Sequence, residues 1–390
     1  DGLDYNTSFA YAREVINVAH HSHLKKIENS LYDSPKNLWK YVQSKKDTTR
    51  IPSKLCHNAR ESDNPQHCVD MFAEQFSSSF RPKLNATVTD AYTNNLSFII
   101  QNVSEDEVIS VMSTLSNKLT AGDDLVPSFL IHDTRFVLAK PIAIIINLAI
   151  KSATFPDKWK IARIVPIFKK GDCHLIKNYR PISILSNFAK IFEILIYRNI
   201  YYNIKSHLSI HQHGFLPGRS TITNLAVITQ FISQELDRNN NQVDVIYTDF
   251  SSAFDSIDHY TLLNKLSCFG FAASSLKLLQ SYLNNRPNYV SYNGFKSKNF
   301  ISTSGVPQGS NLGPLLFVIF INDLLELLNC KVLAYADDIK LYSSINNIND
   351  VKIFQTNFDK LVNYCSRVKL VLNTEKCFYM TFTKKVNPVL

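Results

Sequence analysis

Along this chain the spacing of apolar positions switches repeatedly between a period of two and a period near 3.6, and each switch marks an element. Val243, Val245 and Tyr247 alternate with Asp244, Ile246 and Thr248, which predicts a strand ending at Asp249. Val332 to Ala334 and Ile339 to Tyr342 are short apolar runs on either side of Ala336-Asp337-Asp338, the pattern of a β-hairpin with both acids at its tip. Ile161 to Phe168 reads as a strand followed by a turn at Lys169-Lys170-Gly171-Asp172. Tyr289 to Tyr292 and Phe300 to Thr303 read as a hairpin around Asn293-Gly294. Helical spacing appears after the capping box Ser104 to Glu107, with Val108, Val111, Met112 and Leu115 on one face. Further helices are predicted at Pro141 to Ala153 (buried), Leu185 to Tyr202, His259 to Phe271 (closed by Gly270), Leu315 to Leu328 and Asp350 to Val368. Lys369 to Phe382 returns as strand. Strands and helices in this mixed order, without internal repeats, indicate an α+β fold.

Residues 1–100 have a different texture, polar and rich in Asn, Ser and Lys. Leu24, Ile27, Leu31, Leu38 and Val42 suggest one or two amphipathic helices there, so the segment reads as a linker or helical extension. The 390 residues are 45% hydrophobic, enough for a large core. The net charge of +9 favours a polyanionic partner, nucleic acid or an anionic surface. No membrane span is expected: Phe136 to Ile150 is broken by Lys140 and Pro141, and Leu312 to Leu328 carries Asp323 and Glu326. The chain begins at Asp1 with no initiator Met, as a fragment would. Seven scattered cysteines without a Cys-x-x-Cys fit free thiols in a reducing compartment. Cys56-His57 and His67-Cys68 match no common zinc spacing, and His20, His21 and His23 read as a polar helix face.

Asp337 and Asp338 carry the first chemical signal. An isolated Asp-Asp is usually a solvated turn. Two acids at a strand tip repel unless a cation lies between them, and Mg²⁺ favours one or two carboxylates together with phosphate oxygens. Two-metal phosphoryl transfer needs a further carboxylate from another strand, to hold ions about 3.5–4 Å apart. Asp249, at the end of its strand, is the candidate; a helix cap is the alternative reading. A triphosphate needs cations, and Lys169, Lys170 and Arg180 surround one turn. In Gly305 to Ser310, Gly309 would allow close backbone approach to a nucleotide or base pair, and Gln308 would offer amide donors and acceptors.

In order, the runs Lys118 to Asp124, Phe155 to Lys160, Val165 to Asp172, Asn178 to Ser183, Gly214 to Thr221, Asp249 to Asp255, Gly305 to Leu324, Tyr335 to Asp338 and Leu372 to Cys377 resemble the reverse transcriptase of non-LTR retrotransposons, the LINE or jockey-like group. The resemblance runs from about residue 105 to the end. It implies a right-hand polymerase with fingers and palm, a mixed or antiparallel palm sheet packed on helices, and RNA-directed DNA synthesis from dNTPs. It makes Asp249, Asp337 and Asp338 the catalytic acids on two Mg²⁺ ions, with Mn²⁺ as a substitute and the Phe250 carbonyl assisting. Lys169 and Arg180 would grip the triphosphate, Phe254 would be the steric gate against a ribose 2′-hydroxyl, Gln308 and Gly309 would line the nucleotide and template pocket, and Lys376 would protonate the leaving pyrophosphate. Ser252 stands where many relatives carry Lys, and Cys377 where Thr or Ser is common.

The expected organisation is a linker or helical extension over 1–100 and an N-terminal extension of the fingers over 101–148. The core, 149–390, divides into fingers (149–225 and 257–302) and palm (226–256 and 303–390). Nothing in 1–100 resembles the endonuclease of such elements, and Leu390 falls where a primer grip and thumb would begin. The implied partners are an RNA template, a DNA primer or target DNA, and dNTPs, in a ribonucleoprotein of cytoplasm and nucleus. The rival reading is a catalytically silent relic that only binds nucleic acid. Telomerase or a group II intron maturase would share the chemistry, but Phe155 to Lys160 and Asn178 to Ser183 fit the retrotransposon group better.

Overall fold

The computed structural model describes residues 51–81, 98–116, 118–238, 242–385 and 387–389, with positions 14, 18, 22 and 25. The helices expected around Leu24 to Val42, and His20, His21 and His23, lie outside the described residues apart from those isolated positions.

Residues 51–81 are more than a linker. β1 (Leu55–His57) and β2 (Arg60–Ser62) form a hairpin, and α1 (Pro65–Ser77) follows, capped by the Asn64 side chain on the N–H groups of Gln66 and His67. Cys68, Val69, Phe72 and Phe76 form a buried stripe, and Phe72 meets Tyr179 edge-on at 5.1 Å. The polar composition concealed this short amphipathic element.

α2 (Glu105–Thr114) opens on the predicted capping box: Ser104 Oγ accepts from Glu107 N–H, and Glu107 Oε2 accepts from Ser104 N–H. α3 (Ser128–Asp133) and α4 (Arg135–Ser152) follow. α4 starts before the expected Pro141 and includes it. It is also not buried all round: Ala139, Ile142, Ala143, Ile146 and Ala149 face the core, while Val137, Ile144 and Leu148 are exposed. A nearly all-apolar helix gives no contrast from which to read its inner face.

After the short α5 (Asp157–Lys160), β3 (Ala162–Phe168) and β4 (Tyr179–Leu185) pair antiparallel. Next come α6 (Asn187–Ile204), α7 (Thr221–Leu236), β5 (Gln242–Thr248), α8 (His259–Cys268) and α9 (Ala273–Leu283). β6 (Arg286–Tyr292) turns at Asn293-Gly294, both at positive φ, into β7 (Phe295–Lys296), and β8 (Phe300–Ser302) also pairs with β6. α10 (Gly313–Leu327) leads to β9 (Lys331–Tyr335), β10 (Asp338–Ile345), α11 (Ile348–Val368) and β11 (Phe378–Thr383). The strand expected from Lys369 begins only at Phe378; residues 369–377 form a loop with a 3₁₀ turn at Thr374–Lys376.

Two sheets result. One is antiparallel with order β11-β5-β10-β9; the other has order β4-β3-β6-β7 with β8 on β6, and its β3–β6 pair is parallel. α10 is the central core helix, with every residue from Leu315 to Asn322 buried. A charged group helps set the loop before it. Glu193, inside apolar α6, is fully buried and accepts from the Tyr282 hydroxyl at 2.8 Å and the Asn311 N–H at 2.7 Å. Burial pushes its pKa up, partly offset by the charge of Arg286. Among the described residues no helix is long and apolar enough to cross a membrane.

Candidate active site

The strand register brings the acids together. Ile339 pairs with Thr248, so the next step along the β10–β5 ladder sets Asp338 opposite Asp249. Asp338 also pairs with Tyr335 across the two-residue turn Ala336-Asp337, the tip that the sequence predicted. On the other side of β5, Phe378 pairs with Tyr247, and beyond that pair the 3₁₀ turn Thr374–Lys376 interrupts the ladder, so that Leu372 is the residue that bridges Phe250. The 369–377 loop is tied down there: Asn373 N–H donates to the Asp249 carbonyl and Ser251 N–H to that of Val371, each at 2.8 Å. Neither bond uses the Phe250 carbonyl. Lys376 Nζ reaches Asp249 Oδ2 at 2.5 Å.

The electrostatics fit a cation site. Burial raises the pKa of Asp337, and repulsion from Asp338 and Asp249 raises it further; Lys376 pulls the other way. Asp338 is raised by burial and by Asp249, against Lys340 and Lys376. Asp337 and Asp338, whose ionisation the Asp249 charge hinders, offer together with Asp249 an all-oxygen donor set, the preference of a hard divalent cation. Their oxygens do not all lie within 4.8 Å of one another; among the described residues that spacing is met by Asp172, Cys173 and His174 on an open turn. His174 there already pairs its Nδ1 with the Lys54 carbonyl at 2.9 Å. Cys56-His57 and His67-Cys68 are not part of that group, and the seven cysteines are free thiols. A second Asp pair, Asp123-Asp124, is occupied by hydroxyls of Tyr289 and Ser186.

Cations approach the acids from the other sheet. Ile167 pairs with Arg180 across β3 and β4, and Lys169 follows with its N–H on the Asn178 carbonyl. The pKa of Lys169 is lowered by burial, then by Arg180 and Lys376, while Asp249 raises it. Lys169 therefore feels charges from both sheets.

Phe254 lies on the loop after β5, its ring stacked on Phe317 at 4.8 Å and met edge-on by Phe215 at 5.7 Å. Gln308 Nε2 donates to both carboxylate oxygens of Asp255 at 2.8 Å, and its carbonyl accepts from Ser183 N–H at 2.9 Å. Gly309 has φ +110, and a Cβ there would stand 2.8 Å from the Ser183 carbonyl oxygen. Gln308 and Gly309 thus join the β4 edge to the loop bearing Phe254. Ser252, the departure from the family pattern, is exposed at φ +49.

Sequence reasoning missed three residues at this site. Asp255, the last residue of the run that begins at Asp249, is one: burial raises its pKa to about 6, with Gln308 acting against the rise. Phe215 takes φ +62, unusual for a bulky side chain, where its ring meets Phe254. Gln212 is fully buried and bonds to the backbone of Ala336. The strained φ of Phe215 is visible only in three dimensions, and a Gln in a polar loop carries no signal of burial.

Comparison with known proteins defines the class. Residues 167–388, more than half of the chain, match the reverse transcriptase (RNA-dependent DNA polymerase) family, and the chain belongs to it. Its two sheets with their helices are therefore the fingers and palm of a right-hand polymerase. Among its relatives is the "Probable RNA-directed DNA polymerase from transposon BS" of Drosophila melanogaster, 30% identical over 380 residues, covering 92% of this chain and 42% of that protein. The RNA-directed DNA polymerase from mobile element jockey, also of D. melanogaster, is 27% identical over 74% of this chain and 33% of its own length. The chain thus spans less than half the length of these relatives. A truncated apo telomerase from Candida tropicalis aligns with 62% of this chain and 55% of its own, at TM-score 0.42 and 14% identity.

Proposed function

We propose that this chain is the fingers-and-palm segment of an RNA-directed DNA polymerase of a non-LTR retrotransposon, extending a DNA primer with dNTPs along an RNA template. The observation that carries this reading is the β10–β5 register that sets Asp338 opposite Asp249 beside the Asp337 tip, with the Lys376 side chain on the Asp249 carboxylate. Asp249, Asp337 and Asp338 would hold two Mg²⁺ ions, or Mn²⁺, with the Phe250 carbonyl as an added oxygen donor. Bound there, the ions would lower the pKa of the primer 3′-hydroxyl and stabilise charge on the leaving pyrophosphate.

The chain's own groups do the rest. Lys169 and Arg180 bind the triphosphate oxygens, Arg through its forked donors. Lys376 shares its charge with Asp249 and is placed to hold a proton for the departing pyrophosphate. The Phe254 ring, fixed between Phe215 and Phe317, excludes a 2′-hydroxyl. Gln308, oriented by Asp255, presents its remaining polar atoms to the nucleotide or template.

The test is Mg²⁺-dependent dNTP incorporation on an RNA template with an annealed DNA primer, for wild type and Asp337→Asn. We expect incorporation by wild type and a loss of about 10³-fold or more in the variant, the scale on which removal of a catalytic group acts. RNA binding without incorporation by wild type, unchanged when downstream sequence of a relative is appended, would reject the polymerase in favour of a binding-only relic.

A further inference from the structure

Ala336 is the hinge of the catalytic turn. It precedes Asp337, and its φ of +58 is left-handed, a state unfavourable for an L-residue. Something must hold it there, because a change in its backbone angles swings both carboxylates that follow.

Gln212 provides the hold. Its side chain has no exposed surface. Oε1 accepts from Ala336 N–H at 3.0 Å and from Gly214 N–H at 2.7 Å, and Nε2 donates to the Ala336 carbonyl at 3.4 Å. One amide group thus grips both polar groups of the strained residue. The surrounding backbone reinforces the grip: His213 N–H donates to the Ala334 carbonyl at 2.8 Å, and Ala334 N–H to that of His211 at 2.9 Å. The 211–213 segment therefore lies alongside β9 as a short parallel bridge. A Cβ on Gly214 would stand 2.2 Å from Ala336 N, so only glycine permits this approach. Farther out, Arg219 Nη1 donates to the Gln212 carbonyl at 2.8 Å, and Asn322 of α10 accepts from Ser209 N–H at 2.8 Å. A continuous set of bonds thus runs from the core helix to the turn.

We propose that Gln212 is a positioning residue for the catalytic carboxylates: through Ala336 it fixes the orientation in which Asp337 and Asp338 accept a divalent cation. This rests on the proposed role of those acids. Groups one bond removed from metal ligands act in this way by orienting the ligands, and small displacements of reacting groups are costly.

The experiment measures Mn²⁺ binding by electron paramagnetic resonance on the full chain, with primer extension alongside. Wild type, Asp337→Asn, Gln212→Leu, Gln212→Glu and Gly214→Ala are compared, each checked for folding by circular dichroism. Gln212→Leu should weaken the Asp337-dependent Mn²⁺ site by about 10- to 100-fold. It should lower kcat by about 100-fold with the KM for primer–template unchanged. Gln212→Glu, which keeps both acceptor bonds, should fall between it and wild type, and Gly214→Ala should reproduce the leucine variant. A folded Gln212→Leu chain with wild-type Mn²⁺ affinity overturns the proposal. So does a wild type without Asp337-dependent Mn²⁺ binding. If the leucine variant does not fold, the glutamate variant decides: affinity equal to wild type overturns the proposal, and a partial loss supports it. A wild type that binds Mn²⁺ through Asp337 yet extends no primer counts against the polymerase reading, while the Mn²⁺ comparison still decides the role of Gln212.

Discussion

At Phe254 one ring is both a packing residue and the proposed sugar selector. Its stacking on Phe317 and its edge contact with Phe215 limit the ring's freedom to move aside. Replacing it with Val removes the bulk facing the sugar and retains a β-branched apolar side chain. We expect Phe254→Val to reduce discrimination against ribonucleotides by about 10- to 100-fold, the range over which pocket contacts with small groups act. The check is the ratio of kcat/KM for a dNTP and its matching rNTP, and an unchanged ratio would remove Phe254 from the gate. Phe254, Asp249, Asp337 and Asp338 were legible in the sequence because each lies within a short run of distinctive order. Gln212 was not, because its partner Ala336 is 124 residues away and nothing local marks a buried amide.

Among elements, one contact that joins the loop after β5 to the loop before α10 is that between Asp255 and Gln308. The carboxyl of Asp255 is buried and its pKa is raised to about 6. The native state therefore binds this proton more tightly than the unfolded chain, where an Asp titrates near its ordinary value. Stability from this group is present in full below the unfolded pKa. It is lost as pH rises through about 6, by up to about 3 kcal/mol for a shift of about two units. Asp255→Asn retains an oxygen for Gln308 but does not titrate. Urea unfolding at pH 4.5 and pH 7.5 should give the variant a smaller fall in stability than wild type over that interval; equal falls would place the titration elsewhere. Elements declared by local chemistry, such as the Ser104 capping box and the Asn293-Gly294 turn, were readable. Elements whose inner face is set by tertiary packing were less so. α4 gave no contrast between its faces, residues 51–81 hid their buried stripe in polar surroundings, and the loop from 369 to 377 follows β5 through backbone bonds that no side-chain period encodes.

For the whole molecule, the charge surplus becomes informative once the positions of its charges are known. The chain has 42 Lys and Arg against 33 Asp and Glu. Asp249 raises the cost of ionising both Asp337 and Asp338, and is itself held by Lys376. Lys170, Arg180 and Lys376 lie near enough to lower the pKa of Lys169. Such cations are unfavourable together in the free protein, and a phosphate-rich ligand relieves that repulsion, so binding to a primer–template should release counterions. If about five phosphates are neutralised, affinity should fall by about 10²- to 10³-fold between 50 and 200 mM salt. Asp337→Asn should leave this slope unchanged, because a backbone contact does not depend on the geometry of the acids. Fluorescence anisotropy of a labelled RNA–DNA hybrid across a salt series measures both chains in the same way. A flat dependence in wild type would mean that the basic surplus is not a nucleic-acid surface, and the polymerase reading would then lose its means of holding a substrate. A steep, shared slope together with incorporation by wild type alone would separate two functions of the chain: a basic surface that holds nucleic acid, and a carboxylate turn that acts on the primer end.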